Sequence, residues 1–187
     1  MKIAFLDRDG VINKEVSYLH KIEDFDYAEN CIEGLKQLQE LAFKIIIVTN
    51  QAGIARGYYT EADYLKLTSW YLSDLRGKGI EVLDVFYCPH HPDGSVPLYA
   101  LECGCRKPSA GMFQMADEKY NVDKAHSIMI GDKLIDIDAA IRFGLEPGNC
   151  FLVATGHKLP DNIELRVFKD IIAVSTSSAI NYQSRSE

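Results

Sequence analysis

A short apolar run, Lys2 to Leu6, leads straight into Asp7-Arg8-Asp9-Gly10. On an extended chain, residues two apart point to the same side. The spacing therefore predicts that the carboxylates of Asp7 and Asp9 face one point just beyond a strand end. Two like charges held together are costly unless a cation or a shared proton relieves them. Polar chemistry recurs at three further places of the same kind. The run Lys44 to Thr49 ends in Thr49-Asn50-Gln51, and the run Ser127 to Ile130 is followed by Gly131-Asp132-Lys133, with Asp136 and Asp138 further on. Lys107 closes a cysteine-rich stretch just ahead of a helical pattern. Carboxylates, a hydroxyl and an ammonium at adjacent strand ends are the parts of phosphoryl transfer through a carboxylate nucleophile, with a hard divalent cation offsetting the charge. A solvated acidic turn would explain Asp7 and Asp9 alone, but not four matches in order along the chain.

The elements that must position these residues follow from the hydrophobic pattern. Short apolar runs alternate with helical periodicity, which implies an α/β fold with a Rossmann-like parallel sheet and helices on both faces. Strands are expected at Lys2–Leu6, Lys44–Thr49, Val82–Tyr87, Ser127–Ile130 and Phe151–Ala154. Helices are expected over Glu29–Ala42, Thr60–Gly77, Ala110–Tyr120 and Leu134–Phe143. Thr60 and Asp63 have capping-box spacing, and Tyr64, Leu65, Thr68, Tyr71, Leu72 and Leu75 form the inward stripe of that helix. Open parallel sheets bind ligands at the C-terminal edge of their strands, where the polar residues fall. Two long stretches, Asn13–Tyr27 and Cys88–Pro108, fit neither pattern, and loops of that length in a compact domain are usually functional. The tail SSAINYQSRSE reads as frayed.

At 187 residues the chain suits one domain, 1–187, able to bury about 70% of its unfolded surface. An apolar share of 47% with 25% charged residues excludes disorder, collagen and coiled coil. The net charge of −7 argues against nucleic acid and anionic membranes as partners. No apolar run approaches the ~18 residues of a spanning helix, and charges arrive too early for a signal peptide. A cytoplasmic monomer acting on a small molecule is the expectation. The five cysteines, an odd count without an export signal, argue for metal binding or burial over a disulfide framework.

With these segments the chain resembles the haloacid dehalogenase-like phosphohydrolases, whose motifs stand here as FLDRDGV (Asp7, Asp9), VTN (Thr49, Asn50), Lys107 in CRKP, and GDKLID (Asp132, Asp136). The resemblance implies Asp7 as a nucleophile that forms an aspartyl-phosphate. It implies Asp9 as acid for the leaving oxygen and then base for water, with Thr49 and Lys107 holding the phosphoryl oxygens. It implies Mg2+ at Asp7, Asp132, Lys133 and the backbone carbonyl of Asp9. Val11 stands where many members carry Thr, at a position where the backbone matters more than the hydroxyl. Little sequence separates the motifs, so a capless fold is expected, walled by Asn13–Tyr27, Gln51–Tyr59 and the cysteine loop.

Cys88-Pro89-His90 and Cys103-Gly104-Cys105 are two ligand pairs separated by twelve residues. Four such ligands fill a tetrahedron and suit a closed structural Zn2+ site, though reduced cysteines in a loop, or His91 in place of His90, fit the composition too. A narrower branch of the same family, the heptose-bisphosphate and histidinol-phosphate phosphatases, carries this loop directly before R-K-P. That resemblance implies Cys88, His90, Cys103 and Cys105 as the zinc ligands, with Arg106 and Lys107 fixed against the phosphate. Cys31 and Cys150 fall in apolar segments and read as packing residues.

VTNQAGIARGYYTE, FYCPHHPDGSV, CGCRKPSAGM and MIGDKLIDI place the chain closer to the heptose-bisphosphate side of that branch. The implied activity is that of a phosphoric monoester hydrolase removing the 7-phosphate of D-glycero-D-manno-heptose 1,7-bisphosphate. The likeness is to the enzymes of the β-anomer. Sugar contacts are implied for Glu15, Val16, Ser17 and Tyr18, for Thr49, Asn50, Gln51 and Ala52, and for Arg106 with Lys107. Glu15, Ser17 and Ala52 stand where Asp, Gly and Ser are usual, departures that bear on the sugar contacts and the anomer. Arg56 is either a second anion contact or a solvated charge. Histidinol phosphate is the alternative substrate. A nucleic-acid 3′-phosphatase is disfavoured by the acidic balance, and a non-catalytic zinc-stabilised scaffold by the complete catalytic set.

Overall fold

The β-branched runs form the strands that their composition implies. Ile3–Leu6 (β1), Lys44–Asn50 (β2), Val82–Cys88 (β3), Ile128–Gly131 (β4), Cys150–Val153 (β5) and Val167–Phe168 (β6) are joined in one sheet, all in parallel. The computed structural model describes residues 1–157, 167–177 and 180. The predicted tail, apart from Ser177 and Ile180, lies outside them. The helices are Cys31–Glu40 (α1), Ala52–Ala55 (α2), Glu61–Gly77 (α3), Gly111–Tyr120 (α4), Leu134–Phe143 (α5) and Ile171–Ser175 (α6).

Strand alternation divides the apolar side chains between two cores. Ala4, Leu6, Ile45, Ile47, Ile128 and Ile130 pack with Leu35 and Leu38 of α1, Leu67, Tyr71 and Leu75 of α3, and Val174 of α6. Ile3, Phe5, Ile46, Val48 and Met129 pack on the opposite face with Met112 and Phe113 of α4 and Ile137 and Phe143 of α5. Each such Ile or Leu contributes about 1.5–3 kcal/mol when buried fully, and β1, β2 and β4 are buried on both sides. The expected two-faced parallel sheet is therefore present, and no cap is inserted among the described residues.

The capping box forms as expected: Thr60 Oγ1 accepts from the Asp63 N–H at 3.1 Å and Asp63 accepts from the Thr60 N–H at 2.9 Å. The inward stripe of α3 needs one correction. Leu65 is 46% exposed and Leu67 is buried in its place, because the face of α3 that packs on the core carries Leu67, Tyr71 and Leu75. The one-turn α2 also falls where only a loop was expected.

The strand order is β3-β2-β1-β4-β5-β6. The chain winds outward from β1 to β3, crosses back to β4, and winds outward the other way. The switch therefore lies between β1 and β4, where a crevice opens beyond the strand ends. Asp7 follows β1 directly, and Asp132 follows β4 directly.

Candidate active site

Three carboxylates and one ammonium are buried together at this switch point. Asp7, Asp132 and Asp136 place carboxylate oxygens within 4.8 Å of one another, and none is more than 5% exposed. Lys107 Nζ lies 3.0 Å from Asp7 Oδ1 and 2.6 Å from Asp136 Oδ1, and it donates to the Val48 carbonyl at 2.7 Å. Burial alone would push the Lys107 ammonium down, but Asp136 and Asp7 more than reverse this and hold it above the usual lysine range. Burial lifts the Asp7 carboxyl to about 6, against the pull of Lys107. Burial, with the charge of Asp7, also raises Asp132.

Lys107 is placed from two sides. Asn50, the last residue of β2, donates to its carbonyl and accepts from its N–H, both at 3.0 Å. On the other side lies Cys105, two residues earlier, within the cysteine cluster. Its Sγ is 3.0 Å from Cys88 Sγ, 3.3 Å from Cys103 Sγ and 3.5 Å from His90 Nδ1. The sulfur contact with Cys88 pulls the Cys105 thiol down to about 5, toward the thiolate form in which sulfur binds metals. Sulfurs about 2.3 Å from a tetrahedral centre stand about 3.8 Å apart, so the three sulfurs, now 3.0–3.4 Å apart, would spread by up to about 0.8 Å to hold Zn2+. His91 lies outside the cluster and meets Arg56 at 3.3 Å. The choice of His90 and the burial of Cys31 and Cys150 agree with the sequence expectation.

The Asp9 carboxylate is surrounded by donors. Arg8 reaches it through Nε at 3.1 Å and Nη2 at 2.7 Å, Asn13 Nδ2 at 3.0 Å and Gln51 Nε2 at 3.2 Å. Strand alternation ends at Leu6, and the chain turns at Gly10 (φ 83°), so these partners aim Asp9. Gln51 is itself tethered, accepting from Tyr59 at 2.7 Å and donating to Thr49 Oγ1 at 2.9 Å. The Thr49 hydroxyl thus keeps its own proton to donate.

A cleft of about 260 Å3 opens beside Asp9, lined also by Glu15, Ser17, Tyr18, Asn50, Gln51, Ala52, Arg106 and Lys133 among the expected residues, but not by Thr49 or Lys107. Arg106 Nη1 donates to the His90 carbonyl at 3.3 Å, which ties this rim residue to the cysteine cluster.

A family profile described as "HAD-hyrolase-like" matches residues 104–175. The D-glycero-alpha-D-manno-heptose-1,7-bisphosphate 7-phosphatase of Photorhabdus laumondii is 57% identical over 164 residues, 88% of each chain. The chain belongs to the HAD-like heptose-1,7-bisphosphate 7-phosphatase family. A D-glycero-beta-D-manno-heptose-1,7-bisphosphate 7-phosphatase of the same organism is 40% identical over 90% of this chain and 88% of its own. The D,D-heptose 1,7-bisphosphate phosphatase of B. bronchiseptica, crystallised with magnesium and phosphate, superposes with a TM-score of 0.77 at 31% identity, covering 94% of this chain and 96% of its own.

Against the expected family site, most residues converge and a few do not. Val16 is 42% exposed and does not line the cleft. Glu15 does, but its Oε2 turns to Lys133 Nζ at 3.9 Å and His157 Nδ1 at 3.6 Å. Lys133 presents an ammonium without a lone pair, so only its backbone can serve a cation. Asp138 is exposed on α5. Asp136 is occupied by Lys107 and by the Lys133 N–H at 3.0 Å. Sequence reasoning missed Arg8, Tyr59 and His157. Of these only Arg8, a cation between two aspartates, had a local signal.

The charge balance gives a stability test. Lys107→Met strips the only ammonium among the described residues from three buried carboxylates and should lower the unfolding free energy by about 3 kcal/mol at pH 7.5 in metal-free protein. Asp7→Asn should do the opposite. Folding raises the Asp7 pKa, so its ionised form favours the unfolded chain, a cost fully present above pH 6. Denaturant titration of both variants checks the pair. A Lys107→Met midpoint equal to wild type would contradict the balance.

Proposed function

We propose that the chain hydrolyses the 7-phosphate of D-glycero-α-D-manno-heptose 1,7-bisphosphate. The observation that carries this reading is the Lys107 ammonium, buried against a carboxylate that has no other basic side chain beside it among the described residues. Asp7 attacks phosphorus, a bond forms between its oxygen and phosphorus, and the ester bond to the sugar oxygen breaks. Asp9 gives its proton to that leaving oxygen. It then takes one from a water molecule, which displaces the phosphoryl group from Asp7 and restores the carboxylate. Lys107 and the Thr49 hydroxyl hold the phosphoryl oxygens through both steps, and Gln51 keeps Thr49 and Asp9 in mutual position.

The donor set suits a hard divalent cation. Asp132 Oδ1 is buried without a hydrogen-bond partner, and three buried carboxylates exceed the single ammonium beside them. Asp7, Asp132 and the Asp9 carbonyl would hold Mg2+, which supplies charge neutralisation between the anionic nucleophile and the anionic ester. The cluster of Cys88, His90, Cys103 and Cys105 would hold Zn2+, whose closed shell stabilises the loop that carries Arg106 and Lys107.

The α-anomer is favoured by the 57% identity to the enzyme named for it, against 40% to the β-enzyme of the same organism. A turnover panel of both anomers, histidinol phosphate and a 3′-phosphorylated oligonucleotide tests this. The α-bisphosphate should give the highest kcat/KM, with heptose 1-phosphate as product. A higher value on the β-anomer would reverse the anomer assignment, and a higher value on histidinol phosphate would overturn the substrate.

Arg106 offers a planar fork at the cleft rim, suited to the second phosphate. Arg106→Ala should lower kcat/KM on the bisphosphate by about 2–3 kcal/mol, the scale of a charge-assisted hydrogen bond, and leave p-nitrophenyl phosphate nearly unaffected. Equal losses on both would assign Arg106 to the loop's structure. Elemental analysis should find one tightly held zinc per chain, lost in Cys103→Ala together with thermal stability. Zinc-free protein of unchanged midpoint would remove the metal from the account.

A further inference from the structure

The two oxygens of Asp132 have different surroundings. Oδ2 accepts from the backbone N–H of His157 at 3.1 Å and lies 2.9 Å from the same residue's Nδ1. Oδ1 is buried with no partner among the described residues. An ionised carboxylate only accepts, so this bond requires the proton on Nδ1. The backbone crowds around the same oxygen. A Cβ added to Gly10 would stand 2.6 Å from Oδ2, and one added to Gly156, the neighbour of His157, would collide with it. Beyond the imidazole, Glu15 Oε2 is 3.6 Å from Nδ1, and Lys133 Nζ is 3.9 Å from the same oxygen.

Asp132 is the first residue after β4, and its side chain is held only by the partners around its carboxylate. Its neighbours Asp7 and Asp136 both repel it, while Lys107 is engaged by those two. Left alone, the carboxylate would rotate away from this concentration of negative charge. His157 supplies two donors to Oδ2, which leaves Oδ1 without a hydrogen bond among the described residues, in a cluster with Asp7 and Asp136.

We infer that His157 is a positioning residue for the divalent cation, tethering Asp132 Oδ2 so that Oδ1 is presented beside Asp7. Glu15 is then the outer neighbour of this tether, not chiefly a sugar contact. The inference rests on the reading of Asp132 as a cation ligand. Removal of a group that orients a metal ligand typically weakens binding by about 10–100-fold. Because the His157 side chain is 46% exposed, its loss leaves both apolar cores intact.

The test measures Mn2+ binding by electron paramagnetic resonance, without substrate, in wild type, His157→Leu, His157→Asn and Asp132→Asn, with the unfolding midpoint of each. His157→Leu should raise the Mn2+ dissociation constant by about tenfold or more at an unchanged midpoint. His157→Asn, whose amide nitrogen stands where Nδ1 was, should bind nearly as wild type. If His157→Leu binds Mn2+ as tightly as wild type while Asp132→Asn has lost it, the tether is refuted and the ligand reading stands. Undiminished binding in Asp132→Asn would refute the ligand reading itself, and the tether with it. A collapsed midpoint in His157→Leu, not restored by Asn, would give His157 a structural role instead.

Discussion

Three carboxylates buried beside one ammonium form an excess of negative charge that a folded protein can hold only with help. Asp7, Asp132 and Asp136 lie within reach of a common point, and among the described residues Lys107 is the one ammonium within the cluster. Carboxylates this close, in a medium less polar than water, repel by several kcal/mol. A shared proton or a further positive charge relieves the arrangement. The second of these suits the chemistry: a phosphate ester approaching a carboxylate meets the same repulsion, and a site built to accept a cation offsets both.

The fold serves this cluster from several directions. The switch in strand order brings the ends of β1 and β4 side by side, so Asp7 and Asp132 meet although 125 positions separate them. β2 contributes Asn50, whose two bonds to the Lys107 backbone hold the ammonium in depth, while the four-ligand cysteine cluster holds the same segment from the loop side. Asp136, one turn into α5, engages Lys107 from below. The cysteine loop is also tied across the cleft, because Ser95 and Val96 donate to the Ala55 carbonyl at 2.8 and 2.9 Å. Loss of the loop would therefore disturb both walls of the site and the base of its central cation.

Where the sequence was informative, local chemistry carried the information. Asp7, Thr49, Lys107 and Asp132 each follow or close a segment whose pattern is readable, while the Cys-x-His and Cys-x-Cys spacings suggested a ligand set in which only the family resemblance chose His90 over His91. The strand runs were legible for the same reason, since β1, β2 and β4 are buried on both faces and almost uniformly apolar. The partners that aim these groups were not legible. His157 lies 25 positions from the carboxylate it holds, and Tyr59 acts on Asp9 only through Gln51. Leu65 and Leu67 show the limit on a smaller scale, because both fit a helical period and only packing against the core separates them.

The central claim is that Asp7, held beside Lys107, forms a covalent bond to phosphorus. The most direct measurement quenches the enzyme in acid during turnover of the bisphosphate, reduces any acyl phosphate with borohydride, and reads the N-terminal peptide by mass spectrometry. The account predicts that Asp7, and no other residue, is converted to homoserine. Full turnover with an unmodified Asp7 at every quench time, or conversion at Asp9 instead, would contradict it.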